Sequence, residues 1–274
     1  MTKRGGRLWR WTTLAALWVV ITAAPRGVAA ADLASAPGPA YALSWQLDLP
    51  ILLISGGLAA SYLVVDEVAP PFCAPVYDRA HVNAFDRWAA GYYNPTWQTV
   101  GDVTTGVTLV ALPLSLFVSE SWRPALSDLV VVSEALLTSS AIQVIVSYAV
   151  GRPRPRVYGE TAPLDQRTNA NAARSFFSGH VADGMAATFA TAEALSRLRR
   201  PTLALVTLIV GVTGTALIGV ARVGAGGHFP SDVIIGAAVG SGVGIAIPAV
   251  HGVGMRVAPL AGSEAHGLSL TTTF

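Results

Sequence analysis

Apolar residues occur along the chain in six long runs, with polar connections between them. These runs lie near 49–65, 103–119, 133–150, 179–196, 203–221 and 232–250. A helix needs about 17 to 25 mainly apolar residues to cross the hydrocarbon layer of a membrane, and each run reaches that length. The pattern therefore predicts an all-α fold, a polytopic membrane bundle of about six helices.

The fourth run is the least apolar of the six. It contains His180 and Asp183 near its start and Glu193 near its end. Ionisable groups at membrane depth are costly and are commonly functional. The polar residues of this run therefore need a functional or structural reason.

Small residues recur at every fourth position in the last two runs. These positions are Gly211, Thr215, Gly219, Gly236, Gly240 and Gly244. Such spacing lets helix backbones approach each other closely, so we expect the fifth and sixth helices to pack together.

The N-terminus has the layout of a secretory signal peptide. Four cations within the first ten residues precede an uncharged run over 11–25, and small residues follow at 28–31. The uncharged run is short for a membrane span, which favours cleavage over retention as a first spanning helix. We therefore divide the chain into a cleavable signal peptide at 1–31, a membrane-embedded domain at 32–256 and a polar C-terminal tail at 257–274.

The composition agrees with a membrane protein. Hydrophobic residues make up 52% of the chain and charged residues only 12%, about half of the share in soluble domains. The net charge of +2 is too small for a nucleic-acid footprint, so the expected partners are membrane lipids. The single cysteine, Cys73, excludes an intramolecular disulfide.

Unusual polar residues lie at the ends of the last four runs. In chain order they are Arg152, Arg154, Ser178, Gly179, His180, Arg222, His228 and Asp232. If consecutive helices alternate in direction, all of these positions lie at one face of the membrane. The sequence thus gathers arginines, two histidines and an aspartate into one small volume.

This set of residues suits a phosphate ester. Arginine presents a planar fork of donors that matches phosphate oxygens, and the free N–H groups at helix starts also favour an anion. His228 and Asp232 are four residues apart, so the carboxylate is expected to accept from one ring nitrogen and leave the other free as a nucleophile. His180 is expected to protonate the departing oxygen.

A metal site is the alternative for the same residues. His180, His228, Asp183 and Asp232 are all possible ligands. The neighbouring arginines disfavour a cation at that place, because they already supply positive charge. We predict no metal and no cofactor in this cluster, and we interpret His81, His251 and His266 as ordinary polar residues.

Three spaced motifs resemble the type 2 phosphatidic acid phosphatase family, which also includes vanadate haloperoxidases. Arg154-Pro155 matches the end of the first motif, and Ser178-Gly179-His180 matches the second. Arg222, His228 and Asp232 match the third with its spacing. The chain departs from the family pattern at three positions: Ser147 replaces a lysine, Phe177 a proline and Ala221 a serine.

The resemblance implies a covalent phosphohistidine on His228, oriented by Asp232, with His180 as acid and then base. It also implies that Arg154, Ser178, Gly179 and Arg222 hold the phosphate. The lysine missing at Ser147 would meet transition-state charge, and Arg152 or Arg174 is expected to supply that charge instead.

Three functions remain open on these grounds. The leading one is hydrolysis of a lipid phosphate monoester or diphosphate. The others are a vanadate-dependent haloperoxidase, and a catalytically degenerate member that binds lipids or anions without turnover. The motifs do not identify the lipid, and nothing in the sequence indicates the oligomeric state.

Orientation in the membrane gives two conflicting indications. Arg197, Arg199 and Arg200 follow the fourth run and mark the cytoplasmic side, which places the histidine cluster outside, on the periplasmic face of a bacterial inner membrane. An N-terminal targeting helix followed by six spans would instead place the cluster inside. The run at 49–65 is barely long enough to span, so we expect it to be re-entrant or peripheral.

Overall fold

The structure, a computed structural model, describes residues 38–68 and 76–252, together with the backbone of two short strands after them. Its helices are α1 (Trp45–Ala60), α2 (Tyr62–Val68), α3 (Pro95–Leu114), α4 (Leu116–Ser119), α5 (Trp122–Val150), α6 (Leu164–Thr168), α7 (Gly179–Arg197), α8 (Pro201–Gly224) and α9 (Pro230–Gly252). Single 3-10 turns lie at Arg79–His81, Arg87–Ala89, Pro155–Tyr158 and Ala170–Ala173. The predicted signal peptide lies outside the described residues.

Five stretches of the described chain are long and apolar enough to cross a membrane. They cover Trp45–Val68, Pro95–Ser119, Trp122–Tyr158, Pro201–Gly224 and Pro230–Gly252. They correspond to five of the six predicted runs, and the remaining one, the fourth run near 179–196, forms the helix α7. The predicted all-α membrane bundle is therefore confirmed.

Helix α7 is the centre of the bundle, which explains its weak apolar character. It packs against α3, α5, α8 and α9. Its buried positions are mostly alanine, glycine and threonine, which let these neighbours approach closely. A helix that contacts protein on several sides does not need a lipid-facing apolar surface.

The recurring small residues pack against α7 rather than mainly against each other. A Cβ atom added at Gly236 would lie 2.6 Å from the carbonyl oxygen of Ser178, and one at Gly244 would lie 2.7 Å from that of Ala186. On α8, Gly211 faces Thr188 of α7. The fifth and sixth helices touch, as expected, where Gly219 faces Val233, but most of their small residues pack against the central helix α7.

The long helices alternate in direction, so one end of the bundle collects the segment ends that carry the unusual polar residues. Helices α1 and α2 run as one segment, with a turn at Ser61, and α1 packs along α5. Their 24 residues are long and apolar enough for a span, and the expectation that the run at 49–65 is re-entrant or peripheral stays a prediction.

The opposite end of the bundle holds the largest buried apolar cluster. It brings Tyr41 and Leu116 together with Val131 of α5 and Leu195 of α7. Beyond α9, two antiparallel strands, β1 (Arg256–Gly262) and β2 (Ala265–Thr271), pair with each other. The sequence analysis assigned only a polar tail to this segment.

Candidate active site

His228 lies in the short connection between α8 and α9, with its side chain only 2% exposed. Its Nδ1 atom is 2.6 Å from the backbone carbonyl oxygen of Ser175. A carbonyl oxygen only accepts hydrogen bonds, so Nδ1 carries the proton in the neutral ring. The other nitrogen, Nε2, then carries a lone pair, which accepts a hydrogen bond from Nη1 of Arg154 at 3.4 Å.

Asp232 does not accept from the histidine ring as the sequence analysis expected. Its closest carboxylate oxygen is 4.0 Å from Nδ1 of His228. That oxygen accepts from the hydroxyl of Ser175 at 2.6 Å and from the backbone N–H of Phe229 at 2.8 Å. Asp232 therefore acts on His228 through Ser175, whose carbonyl holds the ring.

Arg152 lies behind this arrangement and is paired with two buried carboxylates. Its guanidinium donates to Asp232 at 2.5 Å and to Asp86 at 2.8 Å, and it stacks over the ring of Phe229. Ser231 donates to the same Asp86 through both its backbone N–H and its hydroxyl. Arg152 is thus a structural cation, and the expectation that it replaces the missing lysine is not supported.

Arg154 and Arg222 flank the connection that carries His228. Arg154 donates to the carbonyl oxygens of Asn171 at 2.7 Å and Gly227 at 2.9 Å. Arg222 is 6% exposed and donates to Asp102 at 2.5 Å. A Cβ atom at Gly227 would lie 3.3 Å from the carbonyl oxygen of Arg222 and 3.5 Å from Nη1 of Arg154, so Gly227 lies between the two arginines.

Buried donors at this end of the bundle lack partners among the described residues. They are the hydroxyl of Ser178, Nε of Arg222 and Nε of Arg174. Ser178 is fully buried and directly precedes Gly179, the first residue of α7. Buried polar groups are almost always hydrogen-bonded in folded proteins, so these donors are suited to an anion.

His180 is the more accessible of the two predicted histidines. Its side chain is 43% exposed, and its Nε2 lies 3.9 Å from a carboxylate oxygen of Asp102. The sequence analysis missed Asp102, which lies next to the apolar run at 103–119. An ionisable residue at the edge of a span was the available signal.

Arg174, unlike Arg152, is near the position of the missing lysine. Its guanidinium donates to Asp66 at 2.6 Å and to the hydroxyl of Tyr148 at 3.1 Å. It lines the same cavity as Ser147, Arg154 and His180. The buried hydroxyl of Ser147 donates to the carbonyl oxygen of Val144 and adds no charge. Of the two expected substitutes, only Arg174 lies in a suitable place.

The cavity has a volume of about 610 Å³ and extends from the arginines into the bundle. Its deeper wall is formed by α1, α3 and α5, including Ala59, Leu109 and Val144. Polar groups reach the same space, among them Ser140 and Asp183, which hydrogen-bond each other at 2.9 Å. The cavity is thus cationic at its mouth and mixed in polarity below.

Burial lowers the pKa of His228 well below its usual range, and the positive charge of Arg154 adds to this shift. The ring is therefore neutral at physiological pH. Burial alone would raise the pKa of Asp86, but hydrogen bonds from Arg152, Ser231 and Asn83 outweigh it and hold that pKa below its ordinary value. Asp86 is consequently a charged partner for Arg152.

Comparison with known proteins agrees with the motifs. Residues 128–255 match the PAP2 superfamily, which confirms the expected resemblance. No curated protein sequence matches the chain. Among solved structures, the chain is similar to a transmembrane PAP2-type phosphatidylglycerolphosphate phosphatase from Bacillus subtilis, with 19% sequence identity and a TM-score of 0.44. That similarity covers 74% of this chain and 94% of the other.

Proposed function

From the PAP2 superfamily match over residues 128–255 and the geometry of the site, we propose that this membrane protein is a phosphatase that hydrolyses a lipid phosphate monoester or diphosphate. The observation that carries the proposal is the unprotonated Nε2 of His228, because Nδ1 holds the ring proton in its bond to Ser175. This nitrogen lies beside Arg154, in a cluster where the hydroxyl of Ser178 and Nε of Arg222 have no partner in the described structure.

In the first step, Nε2 of His228 attacks the phosphorus atom. A nitrogen–phosphorus bond forms, and the bond between phosphorus and the lipid oxygen breaks with its electron pair on that oxygen. The negative charge of the bound phosphate favours a proton on His180, and His180 donates this proton to the departing oxygen. The products of this step are a lipid alcohol, or a lipid monophosphate from a diphosphate, and phosphohistidine.

In the second step, the now neutral His180 takes a proton from a water molecule, which attacks the phosphorus atom. The nitrogen–phosphorus bond breaks, its electron pair returns to His228, and inorganic phosphate leaves. Both histidines are then restored. No cofactor is required by this sequence of steps.

Positive charge at the cavity mouth supports the transition state in both steps. Arg154, Arg174 and Gly179 line the cavity together with His180, and Arg222 binds the same Asp102 carboxylate that lies near His180. The hydroxyl of Ser178 and the backbone N–H of Gly179 add neutral donors. Preorganised donors of this kind are worth several kcal/mol when charge develops on the transferring group. The proposal is therefore metal-independent hydrolysis.

A membrane-embedded cavity supports a lipid as the substrate. The cationic mouth meets the helices α1 and α3, and the cavity continues beside apolar residues of both. A phosphate held at the arginines would leave its lipid chain in that deeper space. Phosphatidate, isoprenyl diphosphate, phosphatidylglycerol phosphate and lipid A phosphate are the substrates to compare.

The test of this proposal is phosphate release from these four lipids by the purified protein. We expect release with at least one of them by the wild type, and loss of release in His228→Ala. Binding of a lipid phosphate without any release would instead indicate the degenerate, ligand-binding alternative. Vanadate should inhibit hydrolysis, whereas vanadate-dependent halide oxidation would support the haloperoxidase alternative.

We also propose that the site faces the periplasm of a bacterial inner membrane. Arg123, Arg197, Arg199 and Arg200 lie at the opposite end of the bundle, and such residues mark the cytoplasmic side. In a Cys73→Ser background, a cysteine at Glu160 should react with an impermeant thiol reagent on intact cells. A cysteine at Ser121, at the other end of the bundle, should react only after permeabilisation, and the reverse pattern would contradict this orientation.

A further inference from the structure

A second cluster of ligand-type side chains lies at the end of the bundle opposite to His228. It contains Asp48 from the first turn of α1, Glu134 from α5 and His251 from the last turn of α9. His228 and His251 are 23 residues apart along α9 and its entry, which corresponds to about 35 Å at helical rise. The two clusters are therefore separate sites.

The three side chains converge on one point. Nε2 of His251 is 2.8 Å from an oxygen of Asp48 and 3.0 Å from an oxygen of Glu134. One nitrogen and two oxygens, one atom from each residue, lie within 4.8 Å of one another. All three side chains are shielded from solvent, with 1%, 8% and 0% exposure for His251, Asp48 and Glu134.

The hydrogen bonds of His251 determine which of its two ring nitrogens directs a lone pair toward the carboxylates. Its Nδ1 is 2.9 Å from the carbonyl oxygen of Ile247, so Nδ1 must donate. In the neutral ring, Nε2 then presents a lone pair to two carboxylate oxygens. A donor bond from the ring nitrogen to a backbone carbonyl is also the usual outer-shell arrangement of a metal-bound histidine.

Glu134 supplies the independent observation. It is fully buried, and neither of its carboxylate oxygens has a hydrogen-bond partner among the described residues, although one of them lies 3.0 Å from His251. A charged carboxylate without donors is costly in the protein interior. Asp48 is better placed, because the backbone N–H of Ser44 donates to its second oxygen.

The net charge of the cluster differs according to whether a proton or a divalent cation lies between the three side chains. A protonated His251 between two charged carboxylates would leave one net negative charge in a buried place, and a further proton on Glu134 would be needed to remove it. A divalent cation with a neutral His251 and two carboxylates leaves none, and it gives Glu134 a partner. The nearest described cation, Arg197, stacks over Tyr41 and is paired with Glu193 at 2.9 Å, so its charge is already used.

We infer that Asp48, Glu134 and His251 bind one divalent transition-metal ion. One imidazole and two carboxylates suit Zn²⁺ or Mn²⁺, with ligand distances of about 2.0 to 2.2 Å. Such an ion would tie α1 to α5 and α9. Because α1 also forms one wall of the catalytic cavity, through Ala59, the ion would stabilise that wall from the far end of the bundle.

The test is metal binding to the full-length protein, purified through a tag without histidine and treated with a chelator. Zn²⁺ and Mn²⁺ are then added separately, and bound metal per chain is measured by equilibrium dialysis and elemental analysis. We expect one ion per chain, and a rise in Tm on binding. In Glu134→Gln and His251→Gln the affinity should fall by roughly 100-fold or more, since even outer-shell changes cost about 10 to 100-fold.

Two variants serve as controls. His228→Ala should bind the ion like the wild type, because this site is independent of the proposed phosphatase chemistry, and His81→Gln should also bind normally. Substoichiometric binding by the wild type, unchanged binding in Glu134→Gln, or loss of binding in His228→Ala would overturn the inference. If the two site variants fail to fold, the wild type is loaded with Co²⁺ and its absorption spectrum is recorded instead. We expect bands typical of nitrogen and oxygen ligands at one site per chain, and a spectrum without them would overturn the inference.

Discussion

The backbone carbonyl of Ser175 accepts a hydrogen bond from Nδ1 of His228 at 2.6 Å, while the hydroxyl of the same serine donates to Asp232 at 2.6 Å. One residue thus connects His228, the proposed nucleophile, to Asp232. The bond fixes the ring orientation and the tautomer, and it leaves Nε2 unprotonated, as the proposed mechanism requires.

The lowered pKa of His228 gives a prediction for the pH dependence of activity. The reactive form of this ring is the neutral one, and a lowered pKa keeps it neutral at pH values where an ordinary histidine, with a pKa of about 6.5, is already protonated. The acidic limb of the kcat/KM profile should therefore fall clearly below pH 6.5. A limb centred at or above that value would contradict the assignment.

The missing lysine gives a prediction for Arg174. Replacing Arg174 with glutamine removes a cation from the cavity mouth and should lower kcat by about 100 to 1000-fold, the usual cost of losing one charge stabiliser. Adding Ser147→Lys to that variant should restore much of the loss, because both positions line the same cavity. Steady-state kinetics on all three variants provide the measurement.

Arg123→Gln is the matched control for Arg174→Gln. Arg123 stacks on Trp122 at the opposite end of the bundle, so its loss should leave kcat unchanged. If Ser147→Lys fails to raise the activity of the Arg174 variant while the protein remains folded, the two positions do not serve the same charge.

The Arg152 and Asp86 pair gives a prediction for stability. Asp86→Asn removes a buried charged partner and should destabilise the protein by about 3 kcal/mol at neutral pH, the lower part of the range for a broken buried pair. Because the pKa of Asp86 is lowered in the folded state, its contribution is present above its unfolded value of about 3.9 and is lost as the pH falls through the folded value.

Thermal unfolding in detergent tests whether the stabilisation by Asp86 is lost toward acidic pH. The difference in Tm between the wild type and Asp86→Asn should be constant from pH 7 to pH 5 and should shrink only below about pH 4. A difference that is lost near neutral pH would show that another group is responsible.

The glycines of α9 give a prediction for packing. A Cβ atom at Gly240 would overlap the backbone carbonyl of Ala182, which cannot move aside as a flexible side chain can. Gly240→Ala should therefore destabilise the protein by about 1 to 3 kcal/mol and reduce activity, since α9 positions His228 and Asp232. Gly242, two residues later, has open space around it, so Gly242→Ala should be neutral or slightly stabilising.

Much of the fold could be predicted because a membrane-spanning helix requires a long run of apolar residues, which is visible in the local sequence. Runs of apolar residues marked the long helices, and the arginines and histidines at their ends indicated one polar face. The helix α7 shows the limit of this reasoning. Its low hydropathy follows from contacts with four other helices, and those contacts are properties of the assembled bundle.

The partners of the site residues could not be predicted, because they come from distant parts of the chain. Asp86 lies 145 residues from Ser231, and Asp102 lies 120 residues from Arg222. The four-residue spacing of His228 and Asp232 suggested a direct bond, but the carbonyl of Ser175 occupies the ring nitrogen. His251 was interpreted as an ordinary polar residue for the same reason, since Asp48 lies 203 residues away.

The central claim is that Nε2 of His228 forms the covalent phosphoryl bond. The most direct measurement is mass spectrometry of the protein after rapid mixing with a lipid phosphate that it hydrolyses, followed by quenching in alkali, which preserves phosphohistidine. We expect phosphate on His228, attached at Nε2 because Nδ1 is bonded to Ser175, and no label in His228→Ala. Phosphate attached at Nδ1, or an active protein that never carries phosphate on His228, would contradict the account.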